Sequence, residues 1–339
     1  MTESRRMLPP FETAGPRAAE MSFVLDALQT AARLLQNARP EAAVVKPDWT
    51  PVTAVDLGVQ AALTGMLEKA FPDDVIVGEE SSDTLDRASA ASVEAAAIAV
   101  ARQVHPQVDG SQVRAWLDRG RAEPTRRFWT LDPIDGTKGF LKSGQYVTAL
   151  ALIEDGQVVL GGLACPRFPE DEPGGSFALA QRGAGAWMAA TVEGPWRRLT
   201  VSGEEDPRKA RLLRSVDLGY RTQRALAKFR RELGTSGGET RLDCQVKYLG
   251  LAAGYGELVV RLPRKRGALR ESIWDHACGV LLVEEAGGRC SDVLGARLRF
   301  DVGRQMVDNL GVLASNGHLH EAALHAFRRV SPDVLPPPA

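Results

Sequence analysis

Between residues 18 and 37 the apolar positions Met21, Val24, Leu25, Leu28, Ala32 and Leu35 fall at i, i+3 and i+4 and predict an amphipathic helix. A second helix is predicted over 57–70, with Asp56 as its N-cap and Phe71-Pro72-Asp73-Asp74 as its stop. The short apolar run Val75-Ile76-Val77 then reads as a buried strand that delivers Gly78-Glu79-Glu80-Ser81 at its carboxyl end. Residues 85–121 are rich in alanine and predict a helical region broken near His105-Pro106. Phe128-Trp129-Thr130-Leu131 is strand-like again. The runs 146–153 and 158–163 flank Glu154-Asp155-Gly156-Gln157, and Asp-Gly suits the primed turns that join hairpin strands. Further strands are expected at 177–180, 198–201, 211–215, 257–262 and 311–314, and helices at 222–233, 246–253, 274–286 and 318–329. The pattern contains no internal repeat and no low-complexity block.

Mixed strands and helices around a central hairpin imply an α/β protein of layered sheets with two subdomains. Residues 1–17 and 332–339, rich in Pro and polar residues, read as frayed ends. Glu170-Asp171-Glu172-Pro173-Gly174-Gly175 is the linker candidate, equally a surface loop within one sheet. It divides the chain into an N-terminal subdomain over 18–175 and a C-terminal one over 176–331. The 339 residues suffice for a sizeable core, and 44% hydrophobic with 25% charged residues is an ordinary globular balance.

A net charge of −1 leaves no whole-molecule field to capture nucleic acid or an anionic membrane, so any anion must be held locally. Stripes of aromatic and basic residues that stack single strands are also missing, which excludes a nucleic-acid polymer as partner. Cys165, Cys244, Cys278 and Cys290 are too scattered for a zinc knuckle and too few for a disulfide scaffold, and read as reduced thiols. The N-terminus lacks the apolar run of a signal peptide, and no stretch of about 18 uncharged apolar residues occurs. A cytoplasmic protein with no membrane partner is expected.

The densest chemistry follows the Phe128 strand, in Leu131-Asp132-Pro133-Ile134-Asp135-Gly136-Thr137-Lys138-Gly139-Phe140. Two carboxylates project from one tight turn, and Gly136 and Gly139 let backbone amides approach an anion. Taken alone, the segment is equally a plain turn. Asp56, Glu79 and Asp275 change that balance, because each stands at a strand end or helix start. Together these carboxylates beside a Gly-Thr loop read as a hard-metal phosphate site suited to Mg²⁺, which takes carboxylate and carbonyl oxygens. Two carboxylates about 4 Å apart repel by roughly 4 kcal/mol at an effective dielectric near 20, so their convergence on a phosphate requires cations.

Four segments carry a resemblance: Thr50-Pro51-Val52-Thr53-Ala54-Val55-Asp56, Gly78-Glu79-Glu80-Ser81, Asp132-Pro133-Ile134-Asp135-Gly136-Thr137 and Trp274-Asp275-His276-Ala277. In this order they resemble the signatures of the lithium-sensitive, magnesium-dependent inositol monophosphatase superfamily. Lys138-Gly139-Phe140-Leu141, Arg261-Leu262-Pro263 and Asp243-Cys244-Gln245-Val246-Lys247-Tyr248 are more similar to its 3'(2'),5'-bisphosphate nucleotidase branch.

The resemblance implies an αβαβα sugar-phosphatase-like fold and two or three Mg²⁺ ions held by Glu79, Asp132, the Ile134 carbonyl, Asp135 and Asp275. It implies that Thr137, hydrogen-bonded to Asp56, activates the attacking water, and that Glu80 supports its neighbouring ligand. Gly136, Thr137, Tyr220, Cys244, Lys247, Arg261 and Asp275 are the implied substrate contacts. Cys244 and Tyr220 depart from that branch, which commonly has serine and histidine there. His276 reads as a structural neighbour of Asp275, and Arg264-Lys265-Arg266 as a solvated run.

The implied substrate is a small phosphate, adenosine 3',5'-bisphosphate, converted to AMP and phosphate. The alternatives are an inositol or other small alcohol phosphate, or a catalytically silent metal-binding protein of the same fold. Gly136-Thr137-Lys138-Gly139 lacks the P-loop spacing, which excludes that class. Neither pattern nor resemblance fixes the oligomeric state.

Overall fold

The computed structural model describes residues 17–36, 38, 43–45, 51–86, 91–142, 144–169, 174–262 and 270–330. Outside them lie Thr50, residues 170–173 of the expected 170–175 linker, the run Arg264-Lys265-Arg266, the expected frayed end 332–339 and all of the other frayed end except Arg17. Arg17, at the edge of the first, is anchored by a two-pronged ion pair to Glu154 at 2.9 and 2.6 Å.

In chain order the elements are α1 (Ala18–Gln36), β1 (Ala43–Val45), β2 (Pro51–Thr53), α2 (Ala54–Ala70), β3 (Val75–Gly78), α3 (Ala91–Arg102), α4 (Gly110–Arg119), β4 (Arg127–Asp135) and α5 (Thr137–Leu141). There follow β5 (Val147–Glu154), β6 (Gln157–Cys165), β7 (Ser176–Gln181), β8 (Gly185–Ala189), β9 (Arg197–Arg198), β10 (Leu212–Arg214), α6 (Tyr220–Leu233) and β11 (Glu239–Arg241). The chain ends with α7 (Val246–Ala252), β12 (Leu258–Arg261), α8 (Ala277–Glu285), β13 (Arg289–Ser291), β14 (Val312–Ser315) and α9 (His320–Val330).

Strands β3 to β9 form a seven-stranded sheet in sequence order, parallel only between β3 and β4. A five-stranded sheet has the order β11-β10-β12-β14-β13. Along β5, Val147, Ala149, Ala151 and Ile153 enter the core shared with α7 and α8, whereas Leu150 and Leu152 enter the core shared with α1 and α2. Period-two alternation thus appears here as two apolar faces, because both are covered. A third core joins the five-stranded sheet to α6 and α9. The layers are therefore α1/α2, large sheet, α7/α8, small sheet, α6/α9, an αβαβα stack. Close approach of helices to the large sheet uses glycine: a Cβ on Gly162 would lie 2.6 Å from Leu28, and one on Gly161 3.1 Å from Cys278.

The hairpin forms as the pattern predicts, with Asp155 and Gly156 both at positive φ (48° and 72°). Other expectations shift. The N-cap of α2 is Thr53, and Asp56 is its N3 partner in a capping box, because a side chain three residues into the helix can reach back to the cap amide. The region 85–121 becomes α3 and α4 after a 3₁₀ turn at Ser82–Asp86. The strand expected over 198–201 is only the two-residue β9. Residues 274–286 split into a 3₁₀ turn, Ile273–Asp275, and α8, so Asp275 is not a helix cap. The boundary drawn at 175 falls inside the large sheet, where β7 pairs with β6; a division by sheet comes between Arg198 and Leu212. Among the described residues no helix is long and apolar enough to cross a membrane.

Candidate active site

Parallel pairing of β3 with β4 sets Gly78 opposite Leu131, so Glu79 and Asp132 emerge side by side at the carboxyl ends of neighbouring strands. The Glu79 amide donates to the Leu131 carbonyl at 3.1 Å and continues the ladder by one step. Residues three apart on a regular strand face opposite sides. Between Asp132 and Asp135 the register shifts, three residues of β4 being matched by two of β5, and this bulge turns both carboxylates to one cavity. Pro133 has no amide to lose there, and its carbonyl accepts from Thr148 Oγ1 at 2.8 Å.

Asp275 reaches the same place from the other half of the chain, on the 3₁₀ turn before α8. Oxygens of Asp132, Asp135 and Asp275 all lie within 4.8 Å of one another. They line a cavity of about 810 Å³ together with Glu79, Ile134, Gly136, Thr137, Arg261 and Arg304.

Such crowding opposes ionisation. Burial, then the charges of Glu79, Asp135 and Asp275, raises the Asp132 carboxyl well above the usual range. Asp275 is raised likewise, by burial and by Asp135. Asp135 is pushed up by burial to about 6, against the opposing pull of Lys247 and of the Gln245 amide that donates to its Oδ2 at 2.7 Å. Asp132 is 1% exposed, yet among the described residues its Oδ1 has no hydrogen-bond partner. A buried carboxylate oxygen without a donor costs free energy unless a cation meets it, so this donor set fits a hard divalent metal.

Asp56 stands behind this wall, fully buried. Its Oδ2 accepts from the Thr53 amide at 2.8 Å and from the Thr53 hydroxyl, and its Oδ1 accepts from Thr137 Oγ1 at 3.1 Å. Thr137 Oγ1 also lies 3.1 Å from the Ile134 carbonyl. Asp56 is therefore both a helix-cap partner and the partner of Thr137. Gly136, at φ 95°, makes the turn from β4 into α5; a Cβ there would lie 3.2 Å from Cys244 Cβ and from the Gln145 carbonyl.

A second cavity of about 260 Å³ adjoins the first, and Arg261 lines both. Lys247 lines the second; its Nζ lies 3.2 Å from Ser215 Oγ, and burial together with Arg261 lowers its pKa. Arg261 donates to Glu271 at 2.6 Å, and the same Glu271 oxygen lies 3.1 Å from His276 Nε2. His276 Nδ1 in turn pairs with the Tyr248 hydroxyl at 2.6 Å, so both ring nitrogens are engaged and the histidine is structural. Cys244, at φ 47°, packs beside Gly136 and lines neither cavity. Tyr220 is 77% exposed and also lines neither, although Gly219 and Thr222 on either side of it line the second. Glu80 is buried, with its backbone amide and carbonyl both bound by the Gln60 side chain.

Two residues at the site had no role from sequence. Gln245 is fully buried; besides its amide bond to Asp135, its side chain donates to the Trp274 carbonyl at 3.0 Å and accepts from the Gly279 amide at 2.9 Å. Its position inside the quoted Asp243 to Tyr248 segment was the only signal. Arg304 lies in a polar loop with no motif spacing, and nothing in the sequence marks it.

Residues 18–331 match the inositol monophosphatase family. The chain is 36% identical over 317 residues to the 3'(2'),5'-bisphosphate nucleotidase of Schizosaccharomyces pombe, covering 88% of this chain and 90% of that one. It is 33% identical over 341 residues to the enzyme of the same name from Oryza sativa, covering 92% and 94%. Its fold is similar to that of a Thermotoga maritima IMPase, with a TM-score of 0.67, 21% identity, and coverage of 93% of this chain and 99% of that one.

Proposed function

This chain belongs to the inositol monophosphatase family, and from that premise we propose that it is a Mg²⁺-dependent phosphatase that removes the 3'-phosphate of adenosine 3',5'-bisphosphate to give AMP and phosphate. The observation that carries the reading is the convergence of Asp132, Asp135 and Asp275 within 4.8 Å around an Asp132 oxygen that has no partner among the described residues. Glu79, Asp132, Asp135, Asp275 and the Ile134 carbonyl would hold the ions, two or three in number. When bound, the metal supplies positive charge against the phosphate and acidifies a water.

The remaining roles belong to the chain. Asp56, its Oδ2 held by Thr53, accepts the Thr137 proton through Oδ1, which leaves the lone pairs of Thr137 Oγ1 free to receive a hydrogen bond from the attacking water. A threonine hydroxyl is a weak base alone, so the buried carboxylate behind it holds the orientation and takes up positive charge. Gly136 brings the α5 turn close without a side chain in the way. Arg261 stands between the cavities and Lys247 within the second, so a substrate with two anionic groups can place one at the carboxylates and the other against these cations. The names of these relatives and this paired acidic and basic lining favour a bisphosphate nucleotide over a single-phosphate alcohol. The enzyme works in the cytoplasm on this reading, on small molecules alone.

Phosphate release from adenosine 3',5'-bisphosphate, inositol 1-phosphate, fructose 1,6-bisphosphate and histidinol phosphate, each with Mg²⁺, tests the assignment. The bisphosphate nucleotide should give the highest kcat/KM, and a higher value for inositol 1-phosphate would overturn it. Li⁺ should inhibit by occupying a Mg²⁺ position with half the charge; equal response to LiCl and NaCl would remove that claim.

A further inference from the structure

The four carboxylates come from two halves of the chain that are far apart in sequence, and something must hold the halves in register. Backbone bonds join the 304–306 loop to the segment ahead of Asp275: Met306 N donates to Glu271 O at 2.8 Å, Ile273 N donates to Arg304 O at 3.2 Å, and Ser272 bridges Gln305. From this loop the Arg304 guanidinium lies 5.0 Å over the ring of Trp274, the residue next to Asp275. Its other contacts are in the N-terminal half. Nη2 donates to the Gly78 carbonyl at 2.6 Å, one residue before Glu79, and Nη1 donates to the Gly120 carbonyl at 2.6 Å and the Ala122 carbonyl at 3.3 Å. Gly78 N also donates to Gly120 O at 2.8 Å, so one planar fork grips both sides of a single backbone junction.

We propose that Arg304 is a positioning residue that fixes the spacing between Glu79 and Asp275 and so preorganises the metal site. A simpler role, as a cavity-lining cation that binds substrate phosphate, fits less well, because both of its terminal nitrogens are committed to carbonyls and its face is stacked on Trp274. The guanidinium is suited to this work: its rigid fork meets two carbonyls at once and stacks on an aromatic ring, which an ammonium does not reproduce.

The inference rests on the metal-dependent reading above. Its test is calorimetric titration of Mg²⁺ into the metal-free full chain without substrate, alongside KM measured at saturating Mg²⁺. Arg304→Ala should weaken Mg²⁺ binding about 10- to 100-fold, the range for lost outer-shell support, while KM stays unchanged. Arg304→Lys should recover part of that loss, and it decides the matter if the alanine variant lacks the wild-type circular dichroism spectrum. Unchanged Mg²⁺ affinity in both variants would overturn the proposal, as would a raised KM with affinity intact, which marks a substrate contact. A wild-type chain that binds no Mg²⁺ would overturn the functional reading and this inference together.

Discussion

The two adjoining cavities satisfy their charges in opposite ways. In the smaller one Arg261 finds a carboxylate within the protein, Glu271, whose carboxyl, though burial acts to raise it, is held low by His276 and Arg261, while Lys247 meets the neutral Ser215 hydroxyl and its pKa is lowered by burial and Arg261. In the larger one Asp132, Asp135 and Asp275 face one another, and the carboxyls answer by rising in pKa. The basic cavity holds one paired cation, Arg261, and one, Lys247, that an anionic substrate group can meet, so it can serve recognition. The acidic cavity is complete only with positive charge from outside, which is the mark of a reacting centre that uses metal.

The largest effect that would break this division is in the pair behind the acidic wall. Thr137→Ala should lower kcat about 10²- to 10⁴-fold, the usual range for lost acid-base assistance, with Mg²⁺ affinity near that of the wild type. Asp56→Asn should lower kcat similarly and also cost about 1 kcal/mol of stability, because the same carboxylate completes the capping box on Thr53. Steady-state kinetics with melting curves separate the two effects; wild-type turnover in both variants would leave Asp56 a helix cap only.

Asp56 also shows how far sequence reasoning reaches. Helix cap and partner of Thr137 were competing readings of one residue, and the fold gives it both kinds of contact, since Oδ2 serves the helix and Oδ1 accepts from Thr137. The carboxylates at 79, 132, 135 and 275 were legible because they follow apolar strands or open a helical segment at motif spacing. What brings 132 and 135 to one side was not legible: the bulge is a property of pairing with β5. The layers could be inferred from long periodic runs, whereas three-residue strands such as β11 (Glu-Thr-Arg) and β13 (Arg-Cys-Ser) are too short and polar to show a period. Tyr220 was expected at the substrate and instead lines neither of the two cavities described above, because helix α6 turns it outward on the face opposite the buried Leu226 and Phe229.

A smaller effect sharpens the comparison from the basic side. Lys247→Ala should raise KM for the bisphosphate about 10- to 100-fold, the scale of a lost charged hydrogen bond, and leave kcat for a single-phosphate substrate largely intact. Tyr220→Ala is the control and should change neither. Equal losses on both substrates would place Lys247 with the reacting centre rather than with recognition.

The smallest effect is a pH dependence of stability. A carboxyl whose folded pKa lies above its unfolded value of about 3.9 stabilises the metal-free fold below that value, and the contribution is lost as pH rises. For Asp135 the loss runs up to its folded pKa of about 6, and it runs in the same direction for Asp132 and Asp275. Mg²⁺ competes with those protons, so the stabilisation it adds, followed as a rise in melting temperature, should grow from about pH 4 to about pH 7, reaching roughly 2.7 kcal/mol at 100 times the dissociation constant. A metal increment that is flat with pH would mean that the carboxylates ionise together without help.

The most direct measurement is the release of phosphate from adenosine 3',5'-bisphosphate by the full chain, first with Mg²⁺ and then after excess chelator. Stoichiometric AMP and phosphate with Mg²⁺, and no turnover once it is removed, is the expected result; undiminished turnover in chelator would contradict the assignment of the acidic cavity as a metal-dependent reacting centre.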